Sequence, residues 1–71
     1  MKVYYDDEVD ALYIQFEDMK SDGVRELAEG INLDTTADDK VVGIEILNAS
    51  QRLDISTILS YSLSVEKTVA L

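Results

Sequence analysis

The 71-residue chain contains no cysteine and no histidine, and only six basic side chains stand against fifteen acidic ones, a formal charge of −9. The first absence removes disulfides and thiolate metal sites. The second removes imidazole ligands and the commonest general base. With the basic residues Lys2, Arg25, Lys20, Lys40, Arg52 and Lys67 scattered among the acids, phosphate backbones are repelled, and no nucleic-acid partner is expected. A basic protein would instead be steered towards the surface. No segment approaches the roughly 20 apolar residues of a membrane span, so no membrane partner is expected. Met1-Lys2-Val3-Tyr4-Tyr5-Asp6-Asp7 turns acidic before the apolar core of a signal peptide could form. The expected location is cytoplasmic.

What is present is a folding sequence. Apolar residues make up 46% and charged residues 30%, ordinary values for a globular chain, which argue against disorder despite the charge. The length allows a single domain, residues 1–71, that buries only about 60% of the surface its unfolded chain exposes. Small domains of this kind usually add a disulfide, a metal or a second subunit. Of these, oligomerisation is the support left open.

Strand patterns dominate. Lys2–Tyr5 is a short β-rich run. In Ala11–Glu17, Leu12, Ile14 and Phe16 alternate with Ala11, Tyr13, Gln15 and Glu17, the period of a half-buried strand. The acidic stretch between these runs reads as a hairpin turn, and Asp18–Gly23 as a second turn. Val24–Ala28 is expected as an extended edge strand, because its helix formers are too few to nucleate a helix. Ile31–Thr35 and Val41–Leu47 are two further strands, the latter the strongest in the chain. Asn48–Leu53 leaves the sheet as a loop or single helical turn. Asp54 is a candidate N-cap for a short helix over Asp54–Leu59. Leu59, Tyr61, Leu63 and Val65 then alternate with serines and Glu66, which predicts a returning strand over Ser60–Lys67. The fold class is therefore α+β: an antiparallel β-meander of about five strands with a short C-terminal helix and a returning strand. One face collects Val3, Tyr5, Leu12, Ile14, Phe16, Ile31, Leu33, Val42, Ile44 and Ile46. The other holds Tyr4, Tyr13, Val41 and Leu47 among charges, more apolar than a solvated sheet back usually is.

Val3-Tyr4-Tyr5-Asp6-Asp7-Glu8-Val9-Asp10-Ala11-Leu12-Tyr13-Ile14 resembles the opening of a small prokaryotic family, the domain-of-unknown-function family 2283. Gly30-Ile31-Asn32-Leu33-Asp34 with Lys40-Val41-Val42-Gly43-Ile44-Glu45-Ile46-Leu47-Asn48-Ala49-Ser50 resembles its second block. The chain departs from the pattern at Asp7, where the family often has a proline, and at Asp39, where a glycine often shapes the turn. The resemblance implies a small α+β domain without an established activity. Some members are suspected antitoxins beside small toxins, and that lead comes with the resemblance alone.

Three constellations invite chemistry. Asp6, Glu8 and Asp10, with Glu17 further on, imitate the spacing of a calcium loop. The glycine of such a loop is replaced by Ala11, however, and Leu12–Phe16 belong to a strand. A solvated turn whose carboxylates bond nearby amides is the simpler reading. Asp38-Asp39, with Asp34 nearby, is a second acidic cluster, again where a hairpin tip favours aspartate. Gly43, inside the best strand, marks a bulge or a place where an aromatic ring, Tyr4 or Tyr13, crosses the backbone. The tyrosines lack the basic surroundings of an RNA-stacking platform, and no serine sits in a nucleophile motif. No catalytic, cofactor-binding or metal-ligating residue is expected. The sequence points to a non-enzymatic protein-interaction module that self-associates as a homo-oligomer, with Tyr4, Tyr13, Val41, Leu47 and Tyr61 as partner-binding residues. The alternatives are an antitoxin-like acidic inhibitor of a basic toxin, and a weak carboxylate metal site or enzyme at Asp6, Glu8 and Asp10.

Overall fold

Alternation of β-branched and aromatic residues favours extended backbone, and the strands form where that alternation is found. A computed structural model describes residues 1–60. It contains β1 (Lys2–Asp6), β2 (Ala11–Gln15), β3 (Gly23–Ala28), β4 (Ile31–Thr35) and β5 (Val41–Leu47), followed by α1 (Ala49–Arg52) and α2 (Ile55–Ser60). The strands form one antiparallel sheet in the order β1-β2-β5-β4-β3. β3-β4-β5 is thus a three-stranded meander, and the β1–β2 hairpin joins it through β2 on the free side of β5. The most apolar strand takes the centre and gains partners on both sides. β3, exposed at all six residues, takes an edge. This is the meander-like α+β fold the sequence implies, with β5 inserted between the two hairpins.

Register sorts the faces. Val3, Ile14, Ile44 and Leu33 form one cross-strand row, and Tyr5, Leu12, Ile46 and Ile31 form the next. These rows make up the inner face. Leu12 and Val42 are fully buried there, and the other seven row members are half-buried. Phe16, expected in the core, is 45% exposed. β2 ends at Gln15, and the amides of Phe16 and Glu17 both bond the Val42 carbonyl, at 2.8 and 3.1 Å. That doubled bond breaks the alternation before Phe16 can point inwards. A register shift between Asp34 and Thr35 leaves Val41 opposite Thr35.

The turns use local side-chain bonds. Asp6 Oδ1 accepts the Glu8 amide at 3.0 Å, an Asx turn. In the β4–β5 turn the Thr36 hydroxyl donates to Asp38 Oδ1 at 2.6 Å and accepts the Lys40 amide at 3.0 Å. Asp39 adopts a left-handed φ of 65°, a conformation that aspartate tolerates better than most residues.

The helices begin as soon as β5 ends. The expected helical turn after Leu47 is α1, whose Ala49 is completely buried. The expected Asp54 cap is present: Oδ1 accepts the Thr57 amide at 3.3 Å, and the Ser56 and Thr57 hydroxyls donate to the same carboxylate. α2 runs to Ser60, so the returning strand expected over 60–67 does not include that residue. Its remaining positions lie outside the described residues. Among the described residues no helix is long and apolar enough to cross a membrane.

Candidate functional site

The outer face is built across four strands. Tyr4 on β1 lies opposite Tyr13 on β2, their ring centroids 6.4 Å apart and tilted by 34°. Tyr13 in turn faces Glu45 on β5, but its ring leans diagonally over Gly43 and its hydroxyl donates to Asp34 Oδ2 on β4 at 2.8 Å. Gly43 makes this possible. A Cβ there would collide with the Tyr13 hydroxyl and ring, and would sit 2.8 Å from the Ile14 carbonyl oxygen. Of the two tyrosines that could cross the glycine, it is Tyr13 that does so. Beside it, Asn32 Nδ2 donates to Glu45 Oε1 at 3.3 Å. Burial of the ring first, then the bond to Asp34, push the Tyr13 hydroxyl above its ordinary pKa.

Of the expected partner-binding residues, Tyr4, Tyr13 and Leu47 share this face by register, Leu47 lying opposite Ala11. Tyr4 is 50% exposed, Leu47 and Val41 are also exposed, and Tyr13 is half-buried. Val41 sits at the irregularity that ends the β4–β5 ladder. Tyr61 lies outside the described residues. Asp34, grouped in the sequence with the Asp38-Asp39 tip, belongs elsewhere: it faces Gly43 within the sheet and holds Tyr13. Sequence spacing could not reveal this pairing, since the two residues are 21 apart and meet only because β5 lies between β2 and β4.

The acidic turn is organised around protein donors. Asp10, with φ 53°, accepts the Tyr5 hydroxyl at 2.7 Å, the Ser50 amide at 3.0 Å and the Ser50 hydroxyl at 2.7 Å. The Tyr5 hydroxyl foremost, and then Ser50, hold its carboxyl below the usual range. Reciprocally, the bond to Asp10 raises the Tyr5 hydroxyl. The Ala49 amide bonds the Asp10 carbonyl at 3.0 Å, and Arg52 donates to the Glu29 carbonyl at 2.7 Å. α1 is thereby tied to both hairpin turns at one end of the sheet. Asp10 is a structural clasp, and its oxygens are committed to it. Among the described residues no three acidic side chains gather as a metal site would require. At the β4–β5 tip, Asp39 pairs with Arg25 at 2.5 Å, an exposed contact of small energetic weight.

A five-stranded antiparallel sheet capped at one end by a short helix, with a tyrosine row on its outer face, defines a small α+β sheet protein. The chain matches the family described as "Protein of unknown function (DUF2283)" over residues 2–50, and it belongs to that family. No curated protein and no solved structure matches it.

Proposed function

We propose that this protein is a non-enzymatic, cytoplasmic protein-interaction module that self-associates. The observation that carries this reading is the imbalance of burial. Leu12, Val42 and Ala49 are the fully buried apolar residues among those described, while nine large apolar side chains, Tyr4 and Leu47 among them, are more than a third exposed. A second copy is the simplest source of the missing burial in a chain with no cysteine to staple it. Tyr4 is a better probe than Tyr13, because Tyr13 is built into the sheet through Gly43 and Asp34. Light scattering behind gel filtration is expected to give a mass above 7.9 kDa for the wild type. Tyr4→Lys should lower that mass while leaving the far-ultraviolet circular dichroism unchanged. A wild type that runs as a monomer at high micromolar concentration contradicts the proposal.

The charge of −9 favours a second reading, an acidic inhibitor that masks a basic toxin. Such a field raises association rate and specificity more than affinity. A tagged chain drawn from its source lysate would then bring down a stoichiometric basic protein that is lost as salt rises. Recovery of the bait alone argues against it.

A further inference from the structure

We infer that self-association, which this inference takes from the reading above, runs along β1: two copies pair antiparallel over Lys2–Asp6 about a two-fold axis through Tyr4. Among the described residues β1 is an outer strand of the sheet, and an edge strand presents unpaired backbone donors and acceptors to another chain. Antiparallel pairing about a two-fold axis normal to the sheet is centred on a residue, so that facing residues share a side. Centred on Tyr4, the sequence Lys-Val-Tyr-Tyr-Asp is complementary to itself. Lys2 faces Asp6 of the second copy at both ends, Tyr4 faces Tyr4, and Val3 faces Tyr5.

The sides agree as well. Lys2, Tyr4 and Asp6 are exposed on the outer face, so an opposite-charge pair flanks the tyrosines on either side. Val3 and Tyr5 are half-buried on the inner face. Their pairing would join the row Leu33, Ile44, Ile14, Val3 of one copy to the row Tyr5, Leu12, Ile46, Ile31 of the other. Two half-buried apolar rows become one stripe across a continuous sheet. Centring on a residue suits the backbone in either phase, because hydrogen-bonded and non-hydrogen-bonded antiparallel pairs both have this symmetry.

The opposite edge offers no such match. Pairing β3 with itself about Arg25 sets arginine against arginine, and about Glu26 sets glutamate against glutamate. The register shift between Glu26 and Ala28 further spoils the ladder.

The chain has no cysteine, so a single introduced thiol reports proximity. Facing Cα atoms of an antiparallel pair lie about 4.5 or 5.5 Å apart, within disulfide reach of about 4.4–6.8 Å. Mild oxidation should convert Tyr4→Cys to a covalent dimer, while Val24→Cys on exposed β3 stays largely monomeric. Lys2→Asp and Asp6→Lys should each weaken the dimer about tenfold, two like-charge contacts replacing two favourable ones. The double variant should restore it, which separates strand pairing from loss of the Asp6 bond to the Glu8 amide. A wild-type dimer indifferent to both single swaps, with Tyr4→Cys crosslinking no faster than Val24→Cys, overturns the β1 interface and leaves self-association standing. A wild-type monomer overturns both.

Discussion

At Gly43 a single hydrogen in place of a methyl group decides whether the outer face can close. The Tyr13 ring lies where a Cβ would be, and the Ile14 carbonyl blocks the same space. Gly43→Ala should therefore cost about 1–3 kcal/mol, as overpacking usually does, read as a fall in the urea midpoint. Adding Tyr13→Ala should recover only part of the loss, since the backbone obstacle remains. An unchanged midpoint in Gly43→Ala would contradict the described packing. Asn48 makes the opposite case. It enters α1 with φ 52° and makes no side-chain cap bond, so its side chain gains little from a strained backbone. Glycine adopts that conformation without steric cost. Asn48→Gly should leave stability little changed, because the relieved backbone is offset by glycine's greater freedom in the unfolded chain. Asn48→Ala should cost about 1 kcal/mol, and a higher melting temperature in Asn48→Ala would refute this.

Among the elements, the join between α1 and the β1–β2 turn is one that titrates. Asp10 has a depressed pKa in the folded protein. Its contribution is therefore present above the ordinary carboxylate range and is lost as pH falls through the folded value. Tyr5 has a raised pKa, so its contribution is present below the ordinary tyrosine value and is lost as pH rises through the folded one. Asp10→Asn should be less stable than wild type at neutral pH and should lose stability less steeply on acidification, as followed by urea midpoints across pH. Equal acid slopes would show that the clasp does not titrate as a unit. The strands themselves were legible because alternation is a local property: Ile31–Thr35 and Val41–Leu47 were bounded correctly from pattern alone. So was the Asp54 cap, which needs only three residues of context. Strand order was not legible, because no pattern in β2 says that its second partner is β5. The misplacement of Phe16 and Asp34 follows from what is non-local. One is set by a doubled bond to Val42, the other by a contact across β5.

At the scale of the whole molecule, the balance among the described residues between a small core and an exposed apolar remainder is the central physical fact. An antiparallel sheet commonly packs one face and leaves the other to solvent, and here even the inner rows are largely half-buried. Membership of the family over residues 2–50 covers the sheet and the start of α1, the parts that hold the tyrosine row and the Asp10 clasp. Self-association supplies burial at low concentration cost only if the surfaces match, and β1 matches itself in charge, aromatic pairing and side. Sedimentation equilibrium of the wild-type chain over a wide concentration series tests this most directly. The expected result is a reversible rise from 7.9 kDa to twice that mass, with the dimer shifted apart by Lys2→Asp. A constant monomer mass up to high micromolar concentration would contradict it.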